Sequence, residues 1–301
     1  MSAHATLLRP VISGRERVIC CHGATLSGHW APNALEAIVE CAAAGVPRLE
    51  VDVRFMADDT MVLLHDDDLA HGTTGAGRVS ELSRSTLAGV RHCGPGGSVA
   101  FLEDAVEALV DTNTILQVDL KLSRPITVER ACALSRALQR LGQRALVGSQ
   151  SLWNLRALEG VAVALDPSLH LRAGTSSGLR PDGAAPSTLG VHGFWDDSPI
   201  AHNALWPVEE YLEARVQDLL AVLPQATEWM VDIDTILRMG ACGLALGVRL
   251  HASGTQLAAW TVREGTPHRD DTVPRLWELG ADTLITDCPM LFTRPVPAPG
   301  V

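Results

Sequence analysis

Short apolar runs alternate with helix-patterned segments along this 301-residue chain, and that alternation leaves few architectures open. Arg17–Cys21 reads as a first strand. Asn33 and Glu36 then have capping-box spacing, with Asn in place of the usual Ser or Thr. Leu35, Ile38, Val39 and Ala42 make one apolar face, so a helix is expected from Asn33 to Gly45. A second strand follows at Leu49–Phe55, and a third apolar run, Met61–Leu64, comes after the turn Asp58-Asp59-Thr60. Residues 66–100 are polar and glycine-rich and read as an inserted excursion, not a core layer. The alternation then resumes with a helix over 101–110, a strand over 115–120, a helix over 127–141 and a strand over 144–148. Further strands are expected near 161–165, 257–262 and 283–286, whereas 176–206 is loop-like. Strands that alternate with helices imply a parallel sheet. The Gly-rich turn of a dinucleotide-binding sheet is missing after the first strand, which favours an α/β TIM (β/α)8 barrel over a doubly wound sheet. At roughly 150 residues per domain the length suggests two domains, but α/β barrels of about 250 residues fold as one. With no clear repeat and no low-complexity linker, a single domain over 1–301 is expected.

Charge narrows the partners. The chain has 24 Lys+Arg against 35 Asp+Glu, a net charge of −11, which argues against nucleic acid or an anionic membrane surface as the main partner. A phosphate can still be held locally where a cation lines a pocket. The 7 cysteines, none in CxxC spacing, make neither a disulfide framework nor a structural zinc site. Met1–Arg17 lacks the apolar core of a signal peptide, and nothing reaches the roughly 18 apolar residues of a membrane span. A reduced, cytoplasmic protein with no membrane span is expected; its oligomeric state stays open.

The informative residues are charges inside strands that ought to be apolar. Glu50 and Asp52 lie two apart in Leu-Glu-Val-Asp-Val, so both side chains share one face of the strand. Asp119 and Lys121 repeat that spacing, and His65-Asp66 ends the run Met-Val-Leu-Leu. Strands of a parallel barrel are normally near-continuous hydrophobic runs. A carboxylate taken out of water is costly unless paired. Three of them at the mouth of one barrel therefore call for a counter-cation, and hard oxygen ligands select Mg²⁺ or Ca²⁺ over zinc. Each element also has a plainer reading: E-x-D as an edge or salt bridge, Asp119 paired with Lys121, His65 structural, Asp66-Asp67-Asp68 a solvated turn.

In order along the chain, Leu49-Glu-Val-Asp-Val53, Val62-Leu-Leu-His-Asp-Asp67 and Thr73-Thr-Gly-Ala-Gly-Arg-Val79 resemble the glycerophosphodiester phosphodiesterase family. The likeness continues through Phe101-Leu-Glu-Asp-Ala-Val106, Asp119-Leu-Lys121, Ala259-Trp-Thr-Val-Arg263 and Gly280-Ala-Asp-Thr-Leu-Ile-Thr-Asp-Cys-Pro289, and is thin over 150–255. The resemblance implies a TIM barrel with a small insertion after the second strand, which suits residues 66–100. It implies a divalent cation on Glu50, Asp52 and Asp119, a catalytic histidine at His65, and substrate contacts from Lys121 and Trp260. Asp119 departs from the family, which normally has Glu in an E-x-K motif.

The first strand departs further. The family reads H-R-G there and P-E-N-T at the following helix; here the text is Cys20-Cys-His-Gly-Ala24 and Pro32-Asn-Ala-Leu35. Aligned on the glycine, Cys21 replaces the histidine and His22 the arginine. With a one-residue gap, His22 is the catalytic histidine and the arginine is missing. The gap is the favoured alignment, with Cys21 and His29 as the other candidates. The implied reaction is hydrolysis of a small-molecule glycerophosphodiester to glycerol 3-phosphate and an alcohol, with one of His22 and His65 as base and the other as acid. Alternatives are a phospholipase D-type or other phosphodiesterase on the same barrel, or a binding barrel with impaired catalysis. A serine hydrolase is disfavoured because there is no G-x-S-x-G elbow.

Overall fold

The computed structural model describes residues 8–169, 171–172, 192, 195–196, 206–266 and 269–293. Eight parallel strands make the barrel: β1 (Val18–Cys21), β2 (Arg48–Phe55), β3 (Ile115–Leu120), β4 (Ala145–Ser149), β5 (Ala162–Leu165), β6 (Glu228–Asp232), β7 (Gln256–Val262) and β8 (Thr283–Thr286). Each pairs with its neighbours in sequence order, and β1 pairs with both β8 and β2, so the sheet closes. The helices that cover it are α1 (Leu35–Ala44), α2 (Leu102–Leu109), α3 (Val128–Leu138), α4 (Leu152–Arg156), α5 (Val208–Val222), α6 (Ile233–Ala241), α7 (Leu246–His251) and α8 (Arg269–Glu278). This is the TIM barrel that the alternation implies.

Period-two patterning sorts each strand into a barrel-filling face and a helix-facing one. Cys20, Leu146, Ala164, Met230, Ala258 and Ile285 form an apolar plug inside the barrel, while Ile19, Cys21, Leu49, Val51, Leu116 and Val118 belong to the layer under the helices. Below the plug, at the N-terminal ends of the strands, lies a polar floor. Arg48 Nη2 donates to Glu228 Oε1 at 2.6 Å and Nη1 donates to Oε2 at 2.9 Å, while Nε donates to Gln117 Oε1 at 2.9 Å. A buried charge pair is tolerated when its geometry satisfies both partners, and this bidentate one does.

Some local readings need correction. The run after the turn at Asp58 is a strand, Met61–Leu63, but it pairs antiparallel with the end of β2 and is no part of the barrel. It leads into the insertion, which packs Met56, Val62, Leu64, Leu69, Val79 and Leu87 into a small core of its own. Asn33 does not cap α1: Ala34 takes that position with no side-chain cap, and Asn33 itself has φ +65°. Glu36 accepts instead from the Ser98 backbone N–H and hydroxyl, pinning the insertion to the helix. The helix expected over 127–141 ends at Leu138 and tightens into a 3₁₀ turn reaching Arg144. The sequence reading also lacked β6 and α4–α8. Most of the loop-like 176–206 falls outside the described residues. Among those described, no helix is long and apolar enough to cross a membrane.

Candidate active site

On β2 the inward residues climb the barrel axis from Arg48 through Glu50 to Asp52, and register sets Asp52 beside Asp119 on β3. Glu50 and Asp52 are 2% and 3% exposed. Oxygens of Glu50, Asp52 and Asp119 all lie within 4.8 Å of one another, above the apolar plug. Asn33, which the local pattern assigned to a helix cap, grips Asp52 from both sides. Its Nδ2 donates to Asp52 Oδ2 at 2.8 Å, and the Asp52 backbone N–H donates to Asn33 Oδ1 at 2.9 Å. Its left-handed backbone is one that Asn tolerates better than most residues.

Three carboxylates this close resist simultaneous ionisation. Burial, then the neighbouring Asp52, push the Glu50 carboxyl up to about 8, although the Gly23 N–H donates to it at 2.8 Å. Burial would raise Asp52 as well, but Lys121 and the Asn33 amide outweigh it and hold Asp52 below its usual range. Lys121 Nζ donates to Asp119 Oδ2 at 2.7 Å and lies 3.1 Å from Asp52 Oδ1. Asp52 Oδ1 is nonetheless buried without a well-formed hydrogen bond. A buried carboxylate oxygen that has only an ion pair, beside two further carboxylates, is part of a donor set that fits a hard divalent cation such as Mg²⁺ or Ca²⁺.

Of the three candidates from the first strand, His22 is the one brought to these carboxylates. Its Nε2 is 3.8 Å from Glu50 Oε2, and its Nδ1 is 2.5 Å from Asp287 Oδ1. Burial acts to lower the imidazole, but Asp287 and then Glu50 outweigh it, and the group is raised to about 9. Cys21 faces the helix layer. Hydrogen-bonded to Cys41 and buried, its thiol is pushed well above the usual range, away from proton transfer near neutrality. His29 is exposed and bonded to Ser27 two residues away. His65, just beyond Met61–Leu63, has a side chain 62% exposed, with Nδ1 3.0 Å from Asp66 Oδ1. Trp260 follows Ala258 on the inward face of β7 and packs on the apolar plug from the mouth side.

Two charged groups that sequence reasoning left without a role complete the mouth. Asp287, just past β8, bridges His22 through Oδ1 and Arg263 Nε through Oδ2 at 3.1 Å. Arg54, two residues beyond Asp52, donates from Nε to the carbonyl of His65 at 2.9 Å and from Nη1 to that of Lys121 at 3.2 Å, tying two site-bearing segments to β2. The sequence signal for both was charge at a strand end; their partners are far away along the chain.

Residues 25–157 match the Glycerophosphoryl diester phosphodiesterase family, a segment that includes Glu50, Asp52, His65, Asp119 and Lys121. A Mycobacterium tuberculosis protein named "Probable glycerophosphodiester phosphodiesterase 2" is 28% identical over 282 residues, covering 90% of this chain and 87% of its own. Among solved structures, an Oleispira antarctica phosphodiesterase in complex with sn-glycerol-3-phosphate aligns at TM-score 0.59 and 17% identity, over 97% of this chain and 98% of that one. A Thermotoga maritima glycerophosphodiester phosphodiesterase aligns at TM-score 0.61 and 17% identity, over 92% and 97%. At that identity the structural likeness speaks for the barrel alone. Carboxylates, histidine and lysine thus gather at one barrel mouth, in a chain that is similar to glycerophosphoryl diester phosphodiesterases over the segment carrying most of them.

Proposed function

We propose that this protein hydrolyses small glycerophosphodiesters to glycerol 3-phosphate and an alcohol, using the mouth of a single barrel domain spanning residues 1–301. The observation that carries the reading is the triad of buried Glu50 and Asp52 with half-buried Asp119, and His22 beside it. A divalent cation, Mg²⁺ or Ca²⁺, held by that triad would neutralise charge developing on the phosphoryl oxygens. Lys121, already lodged between Asp119 and Asp52, adds positive charge on the same side. The neighbouring hydroxyl of the glycerol attacks phosphorus, its proton passing to one histidine, while the other protonates the departing alkoxide. Water then opens the cyclic phosphate with the roles reversed. Asp287 holds His22 by Nδ1, which leaves Nε2 as the nitrogen that exchanges the proton. Trp260 walls the glycerol. The test is turnover of glycerophosphocholine by purified protein. Activity lost in EDTA and regained with Mg²⁺ or Ca²⁺ is expected, and a metal-replete protein without turnover overturns the reading.

A lipid phosphodiester is the second reading, and one observation favours it. Trp30, Trp153, Trp206 and Met290 are 37%, 49%, 39% and 38% exposed, and all four lie in chain segments that come after barrel strands. Faster turnover of lysophosphatidylcholine than of glycerophosphocholine would select it.

A further inference from the structure

The substrate proposed above carries an anionic phosphodiester, yet most cations at the mouth are already committed to the protein's own groups. Lys121 is committed to Asp119 and Asp52, and Arg54 directs Nε and one terminal amino group at main-chain carbonyls. Arg263 differs. Its backbone is anchored by a reciprocal turn: the Arg263 N–H donates to Thr266 Oγ1 at 2.8 Å, and the Thr266 N–H donates to the Arg263 carbonyl at 3.0 Å. Its guanidinium meets Asp287 side-on, Nε to Oδ2 at 3.1 Å, and the side chain is 68% exposed. One carboxylate thus joins Arg263 to His22, and the outward fork of terminal amino groups stays available beside the acid–base group.

Resting on the phosphodiesterase reading, we propose that Arg263 is a substrate-binding residue whose terminal amino groups take non-bridging phosphate oxygens of the glycerophosphodiester, with Asp287 fixing the fork beside His22. A planar guanidinium is always charged and matches two phosphate oxygens at once, which an ammonium cannot do. The arrangement predicts a binding effect. Arg263 is attached to the carboxylate by one nitrogen, and His22 keeps its own bond to the other oxygen whether or not the guanidinium is present.

The experiment compares parent, Arg263→Ala and Arg263→Lys for kcat and KM on glycerophosphocholine, its pH profile, and the calorimetric Kd of sn-glycerol 3-phosphate. Loss of a charge-assisted bidentate contact should raise KM and Kd roughly 10- to 100-fold in Arg263→Ala, with less loss in Arg263→Lys and kcat within about threefold. Added guanidinium should partly restore Arg263→Ala. KM and Kd within twofold of the parent would overturn the proposal. A fall in kcat with a shifted pH profile at unchanged KM would also overturn it, making Arg263 a positioning residue for His22. A parent that binds sn-glycerol 3-phosphate through Arg263 without turning over the diester would sink the activity and leave this contact standing. A parent that does neither sinks both.

Discussion

Cation binding at the triad should release a proton, and the structure sets the size of the effect. Glu50 is pushed up to about 8, so at pH 7 it is roughly 90% protonated in the cation-free protein, and a cation must displace that proton. The apparent Kd then scales as 1 + 10^(8−pH), which is about 101 at pH 6 and about 2 at pH 8, so affinity should rise ~50-fold across that interval. The same shift bears on stability. A carboxyl whose pKa is higher folded than unfolded makes the folded state bind more protons than the unfolded chain. Its contribution therefore falls as pH climbs from the ordinary carboxylate range towards about 8. A bound cation removes that loss, so the Tm gap between Mg²⁺-loaded and chelated protein should widen from pH 6 to pH 8. Titration calorimetry in two buffers of different ionisation enthalpy would count the protons, with about 0.9 expected at pH 7. Glu50→Gln, whose amide oxygen can still accept from the Gly23 N–H, should bind the cation weakly and lose most of the pH dependence. Equal affinity at pH 6 and pH 8 with no proton release would refute the reasoning, since Glu50 would then be ionised before the cation arrives.

Four further outcomes follow from the geometry. His22→Ala should cut kcat/KM by roughly 10²-fold or more while Cys21→Ala and His29→Ala stay near the parent rate; an active His22→Ala with a dead His29→Ala would move the role to the loop. His65→Ala should lower kcat by roughly 10²-fold with little change in Tm, because the side chain is largely exposed; a full-rate variant would make His65 structural. Asn33→Gly, which keeps the φ of +65° available but removes the amide pair on Asp52, should weaken cation affinity about 10- to 100-fold, and calorimetry showing no change would remove Asn33 from the site. Glu228→Ala should destabilise the chelated protein by about 3–5 kcal/mol in urea unfolding, because it strands Arg48 in the floor; a loss under about 1 kcal/mol would contradict a buried pair.

What could be read from the chain was what repeats locally. Glu50, Asp52 and Asp119 stand out because a charge at period two in an apolar strand violates a short-range rule, and the strand text is enough to reveal it. The barrel followed from alternation for the same reason. Asn33 was misread because Asn-x-x-Glu fits a helix cap, whereas its partner Asp52 is 19 residues away on another strand. Asp287 was visible in the motif Thr-Asp-Cys-Pro, yet its role depends on His22, 265 residues distant. Strand β6 escaped because Glu-Trp-Met-Val-Asp has only three apolar residues between two acids. Glu228 belongs to the floor, and Asp232 caps α6 by accepting from the Thr235 N–H.

The Arg48 floor has a mechanical meaning. Backbone pairing ties each strand of a closed barrel to its neighbours around the circumference and leaves the diameter unbraced. Arg48 reaches across it, from β2 to Glu228 on β6, while also holding Gln117 on β3. A tube braced across its base resists ovalisation, so the spacing between β2 and β3 at the opposite rim, where Asp52 faces Asp119, is held from below as well as from the sides. Loops at the rim can then lengthen, shorten or change their chemistry without that spacing drifting, which separates what keeps the vessel round from what it is shaped to receive.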